Sequence, residues 1–429
     1  MMTPPRAAPS LPGYLRDVVS RGPQVAHPLI VPVPRLRGPA RRLTRQLIIS
    51  GLRRGWRHGR MDLALPDGSR VALGGDRRPD ATITVADDRV FLRMLLRGEM
   101  GGAESYVAGE WDADDLPAAL RLFLRATDAR GLESWVTTLA RLPNLYRHRK
   151  AANDRAGSAR NIHAHYDLGN AFYRLFLDEQ LVYSCATWAA GDDLAAAQRR
   201  KLERLCELAE LRRGEHVLEI GCGWGALAIH AARTRGARVT GLTVSPAQLA
   251  LGRERVAAAG VDDQVDLQLC DYRDATGTHD AILSCEMLEA VGYEFLPTYF
   301  RQVAARLRPG GRAVIQSITM PDDRFEDYRR SVDWTQTYIF PGCLIPSLGA
   351  IRRALVGTGL ELVAAHDIGL DYAPTLRAWR QRFNAALPAV RRLGFDEPFI
   401  RTWNFYLAFS EAAFAERALS DHQLVLVRR

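Results

Sequence analysis

In the C-terminal half of the chain, short apolar runs alternate with stretches whose apolar residues recur every three or four positions. The runs end at glycine or polar residues and predict buried strands at 216–220, 238–243, 265–270, 280–285 and 312–318. The intervening periodicity predicts helices, which together make an α/β fold with a mostly parallel sheet. Ser245-Pro246-Ala247-Gln248 reads as a capping box with proline at N1, opening a helix to Ala259. Asp192 reads as the cap of an amphipathic helix reaching Leu211. An aromatic and charged stretch at 319–345 interrupts the alternation. Pairing is expected to resume at Leu360–His366 and to end in a strand at Gln423–Val427.

Residues 60–125 predict a smaller α+β unit. Met61–Leu65 and Val71–Leu73 flank Asp67-Gly68 as a hairpin, Ala81–Val85 alternates, and two short helices follow at Phe91–Leu96 and Ala103–Val107. Residues 126–160 read as a helix and a basic linker. The larger domain then spans 161–429, opening with a helix at Ala171–Leu177. Residues 1–59 form a basic arm. Its first forty positions are Pro/Arg-rich, lack periodicity and read as disordered. Further on, Leu43, Leu47, Ile48, Leu52 and Trp56 share one face of a helix carrying arginines on the other. Such a helix suits an anionic membrane surface or a dock on its own domain.

Charge sharpens this division. The net charge is +9, yet residues 1–60 hold twelve arginines against the single acid Asp17, leaving 46 bases against 48 acids in the rest. With no aromatic platform beside the basic stretch, nucleic acid is not an expected partner. No apolar run is long enough for a bilayer span and none reads as a signal-peptide core. The six cysteines are scattered, none at zinc-ligand spacing, so no metal is expected and reduced thiols in a cytoplasm are.

The candidate chemistry centres on Ile220-Gly221-Cys222-Gly223-Trp224-Gly225, directly after the first strand of the larger domain. Glycine permits a tight strand-to-helix turn and close approach of a ligand, and amides at the new helix start suit an anion. The spacing is G-x-G-x-G, which argues against a dinucleotide; a plain α/β connection is the alternative. The second strand ends in Thr243, with Ser245 and Gln248 beyond it, offering hydroxyl and amide groups where dinucleotide folds place an acid. Asp271-Tyr272 after the third strand pairs an acid with a flat ring, suited to adenine, although Asp271 also suits a helix cap. Phe325, Tyr328, Trp334, Tyr338 and Phe340 in the insertion suit either a lid for an apolar tail or ordinary packing. His163 and His165 read as helix-start contacts.

The glycine turn resembles the first motif of class I S-adenosylmethionine (SAM) methyltransferases. With HYDLGN, YSCATW, GLTVSPAQ, CDYRD, YIFPGCLIPS and DYAPTLRAW in order across 161–429, the chain resembles the cyclopropane-fatty-acyl-phospholipid synthase family. The resemblance implies a Rossmann-like class I methyltransferase domain on a mostly parallel seven-stranded sheet, behind a smaller N-terminal domain. It implies SAM as cosubstrate over residues 221–225, with Tyr183, Ser184, Thr243, Gln248, Asp271 and Tyr272 around it. The substrate would be a cis double bond in an unsaturated phospholipid chain, the first product a cyclopropane and the alternative a methylene branch. Bicarbonate would serve as base, held by Cys185, Glu289, Tyr372 and the Ile318 N–H. The family's usual histidine at that site is Gln316 here, its histidine after the glutamate is Ala290, and a C-terminal cysteine of some members is Ser410. An amide still donates to an anion but does not titrate near neutrality. A cytoplasmic protein peripherally bound to an anionic membrane is expected, with a homodimer and a partner reductase as further partners. Cys185 as an inert buried thiol, Glu289 as a helix cap and Tyr372 as a core plug are the plain alternatives.

Overall fold

A computed structural model of the chain describes residues 30–56, 58–75, 78–126 and 168–429. The expectations for the first 29 positions, for the linker, and for His163 and His165 lie outside these residues.

The N-terminal unit is a four-stranded sheet. β1 (Arg60–Ala64) pairs antiparallel with β2 (Arg70–Gly74) and parallel with β3 (Ala81–Val85), and β4 (Trp111–Ala113) closes the far edge beside β3. The hairpin turn is locked by Asp67, whose Oδ1 accepts from the Ser69 N–H at 3.1 Å and whose Oδ2 accepts from Arg45 at 2.7 Å. The two short helices expected at Phe91–Leu96 and Ala103–Val107 lie on either side of a kink in Arg89–Val107, where Gly98 has a φ of +57°. The basic helix is formed over Gly38–Gly55, but its apolar residues do not share one face. Ile49, Leu52 and Trp56 are buried on the small unit, Trp56 edge-on to Phe123 at 5.6 Å, whereas Leu43 and Leu47 are exposed.

The larger sheet has the order β10-β11-β9-β8-β5-β6-β7. Its strands are β5 (His216–Ile220), β6 (Arg238–Thr243), β7 (Val265–Leu269), β8 (His279–Cys285), β9 (Leu307–Thr319), β10 (Leu360–Asp367) and β11 (Ser420–Arg428). Only β11 runs antiparallel to its neighbours, so the sheet is mostly parallel as the apolar runs implied. β5 is buried at every position after His216, as a strand covered on both faces must be. Connections leave β5 toward β6 on one side and reach β8 on the other, so the strand order reverses there and a crevice opens beyond the C-terminal strand ends.

Two local expectations are corrected. Asp193, not Asp192, caps the helix Leu194–Leu208, its Oδ1 accepting from the Ala196 N–H at 2.7 Å; Asp192 instead binds Arg200. The helix expected at Ala171–Leu177 is a single turn, Asn170–Tyr173. Phe172, Tyr173, Phe176 and Leu177 are all fully buried, so the segment follows the shape of the core.

The two sheets meet on helix Glu397–Ala415. Arg401 lies 4.0 Å over the Tyr106 ring and donates to the carbonyls of Tyr106 and Trp111 at 2.6 and 2.8 Å. Trp334 of the insertion packs edge-on against Phe405 at 4.9 Å, and Tyr338 donates to buried Glu104 at 2.8 Å. Phe325 is 1% exposed. The insertion's aromatics are thus packed into the fold, which is the plainer of the two readings.

Candidate active site

A cavity of about 180 Å³ lies where β5, β6 and β8 end, at the crevice this topology creates. The glycine turn forms its floor. Gly221 has a φ of +84°, and a Cβ there would sit 2.8 Å from the Met287 side chain, so both backbone and space require glycine. Ile220, Cys222, Gly223 and Trp224 line the cavity with it. Trp224 donates its indole N–H to Asn170 Oδ1 at 2.7 Å, and Asn170 donates to the Ala247 carbonyl at 3.2 Å. One asparagine from the HYDLGN motif thereby ties the turn to the start of helix Pro246–Ala258. Gly225 does not line the cavity but begins helix Ala226–Arg235 behind it.

The remaining candidates divide. Tyr183, Ser184, Thr243, Gln248, Asp271 and Tyr272 all border the cavity. Thr243 and Gln248 are bonded to each other at 2.9 Å. Ser245 does not border it; its hydroxyl caps helix Pro246–Ala258, accepting from the Gln248 N–H. Asp271 performs the cap that was its alternative reading: it accepts from the Arg273 N–H at 2.9 Å, and Arg273 occupies both of its oxygens. Lys201, not singled out in the sequence, is 1% exposed and lines the cavity, donating to Ser184 Oγ at 2.6 Å and lying 3.5 Å from Cys285 Sγ. Its signal was available, because arginine replaces lysine nearly everywhere else. Opposite it, burial pushes the Glu219 carboxyl up to about 7, and only the Lys201 charge and a backbone hydrogen bond hold it down.

A second residue was missed, and it reorganises the site. Glu286 follows β8 directly, lines the cavity, and has a φ of +48°, unusual for a side-chain-bearing residue. Its Oε1 accepts from the Cys185 N–H at 2.7 Å and from Gln316 Nε2 at 2.9 Å; its Oε2 accepts from the Tyr372 hydroxyl at 2.6 Å. Three of the groups expected around an external anion therefore converge on a carboxylate of the chain itself. The other two, Glu289 and the Ile318 N–H, bond to each other: Glu289 Oε1 accepts from that N–H and also, at 3.1 Å, from Ser317 Oγ. Gln316 also donates to Asp421 at 2.9 Å, and Asp421 reaches Glu286. Burial and the charges of Glu286 and Glu289 push the Asp421 carboxyl well above its usual range.

Bicarbonate does not fit this arrangement. Its donors are taken: Tyr372, Gln316 and the Cys185 amide bind Glu286, and the Ile318 N–H binds Glu289. The Cys185 thiol takes no part: it faces the carbonyls of Ala186 and Ile368, and burial pushes it far up. None of Cys185, Glu289, Gln316, Ile318 and Tyr372 borders the cavity itself; Glu286 connects their network to it.

Burial, and next the Glu286 charge, raise Glu289 from 4.5 to about 8. The folded state thus holds a proton the unfolded chain releases near its ordinary value, so this group's contribution is greatest below pH 4.5 and is lost as pH rises to about 8. Melting temperature should fall over that window, and the fall should be shallower in Glu289→Gln. Parallel profiles for the two proteins would contradict the assignment.

A Rossmann-like sheet with a glycine turn at its switch point can be compared with known proteins. Residues 153–424 match the family model described as mycolic acid cyclopropane synthetase. The chain is 41% identical, over 94% of its own length and 95% of the relative's, to a tuberculostearic acid methyltransferase of Mycobacterium tuberculosis. It is 35% identical, over 84% and 91%, to the cyclopropane-fatty-acyl-phospholipid synthase of Escherichia coli. Among solved structures, mycolic acid cyclopropane synthase CmaA1 complexed with SAH and CTAB superposes with a TM-score of 0.58 at 26% identity, covering 63% of this chain and 98% of that one. Over most of its length, then, this chain belongs to the mycolic acid cyclopropane synthetase family and is a SAM-dependent methyltransferase.

Proposed function

We propose that the protein transfers a methyl group from SAM to a cis double bond in an unsaturated phospholipid acyl chain. The observation that carries the reading is the cavity over the Gly221–Gly225 turn, bordered at one side by a carboxylate that Tyr372, Gln316 and the Cys185 amide hold in place. SAM supplies an electrophilic methyl group. The turn, Tyr183, Thr243 and Gln248 would seat it, and the apolar walls of Leu181, Val182, Leu202 and Met287 would exclude water, which a weak alkene nucleophile requires.

Methyl transfer leaves a cation on the neighbouring chain carbon. Closing a ring with loss of a methyl proton gives a cyclopropane. A hydride shift before loss of the same proton gives a methylene branch, which a separate reductase would convert to a methyl branch. The methylene outcome is favoured by the 41% relative over 94% of the chain, named for a methyl-branched acid, and the cyclopropane outcome by the 35% relative over 84%. A cytoplasmic protein touching an anionic membrane fits this substrate. The exposed Leu43 and Leu47, among the arginines of helix Gly38–Gly55, would serve that contact.

Incubation with SAM and dioleoyl phosphatidylglycerol vesicles should yield acyl chains heavier by one CH2. NMR should then show a methylene branch and no ring protons. Ring protons would establish the cyclopropane reading, and methylation of soluble polar acceptors alone would remove the lipid assignment.

A further inference from the structure

We propose that Glu286 is the base of this enzyme, a carboxylate built into the chain that makes catalysis independent of bicarbonate. The inference rests on the lipid reading above. Its support is geometric. Glu286 borders the cavity next to Gly221, the Met287 side chain packing directly against that glycine. Both its oxygens are oriented by donors from three separate parts of the chain: the Cys185 amide, Gln316 on β9 and Tyr372 on helix Gly369–Ala385. A carboxylate held by fixed donors at the edge of the cavity is the arrangement general-base catalysis needs.

The surroundings explain why Gln316 replaces a titratable ring here. Its amide N–H groups donate to Glu286 and Asp421 while its Oε1 accepts from Gln423 at 3.1 Å. An imidazolium could not accept that last bond, and a neutral imidazole could not supply two donors. Backbone conformation points the same way. A φ of +48° places Glu286 in the left-handed region, a strained position tolerated for a side chain with a task. Strain of this kind is removed by glycine, which gives the test its cleanest variant.

In the reaction the alkene π pair forms the new C–CH3 bond as the C–S bond breaks, releasing S-adenosylhomocysteine. A C–H bond of that methyl later gives its electron pair to the chain, closing the ring or forming the exocyclic C=C. Its proton goes to a Glu286 oxygen. No oxidant or second reactant is needed.

The experiment uses the full chain with SAM and dioleoyl phosphatidylglycerol vesicles, in buffer stripped of carbon dioxide and then with added bicarbonate. Wild-type activity should be the same in both. Glu286→Gln keeps the volume but cannot take a proton, and should lose about 100-fold or more of the rate. Glu286→Gly should lose as much in stripped buffer and recover severalfold on adding bicarbonate, which would enter the vacated cradle. SAM affinity and melting temperature should stay near wild type in both variants. A wild-type rate that collapses without bicarbonate overturns the proposal, as does near-normal turnover by Glu286→Gln. Loss of SAM binding or of folding in both variants would make Glu286 a structural residue and overturn it too. If wild type modifies no lipid while still binding SAM, the substrate reading itself has failed.

Discussion

Gly221→Ala should weaken SAM binding about 10- to 100-fold. A left-handed backbone costs an alanine roughly 1–2 kcal/mol, and the new methyl would stand 2.8 Å from Met287 Cγ, which must then move. Met287 neighbours Glu286, so the displacement carries into the base as well as the floor of the cavity. The rate should therefore fall further than affinity does. Calorimetric titration with SAM, alongside a melting curve to show that the fold persists, measures the effect. Affinity within twofold of wild type would mean the cosubstrate sits elsewhere.

Lys201→Met should be the most destabilising single change at the site. The ammonium donates to Ser184 and offsets the charge of Glu219 in a place where neither reaches bulk water. Removing the ammonium leaves Ser184 Oγ without its donor and Glu219 without the charge that holds it down, a loss on the order of 1–3 kcal/mol. Glu219 would then take up a proton, so the loss should deepen as pH rises above neutrality. Urea unfolding at two pH values tests this. The paired variant Lys201→Met/Glu219→Gln should recover more than half of the stability, and failure to do so would separate the two residues.

The strands of the larger sheet were legible because a strand buried on both faces is written as a mainly apolar run, as in Ala281-Ile282-Leu283 of β8. The glycine turn was legible for a related reason: few residues can occupy those backbone angles. Glu286 was not legible. Its role depends on Cys185, Gln316, Tyr372 and Asp421 arriving around it, and that arrival is decided by β11 slotting antiparallel between β9 and β10, where Asp421 pairs with Ile318. No local pattern encodes that register. Glu289 drew attention through the resemblance, while Glu286, three positions earlier, passed unremarked. The basic helix failed differently. An amphipathic stripe satisfies a membrane or a protein equally well, and only the packing of Ile49, Leu52 and Trp56 shows which stripe faces inward.

Helix Glu397–Ala415 has one flank under the small sheet and another reaching the cavity, where Tyr406 meets the Tyr183 hydroxyl at 2.9 Å. Anyone trimming the gene to the stretch matched by the family model would strip Tyr106 and Trp111 from Phe405 and Arg401, and would sever the last turns of chain pairing in β11. Such a fragment would present a greasy seam to water and clump before its chemistry could be assayed. Tyr106 and Trp111 of the smaller unit thus act as the cover that keeps this helix dry.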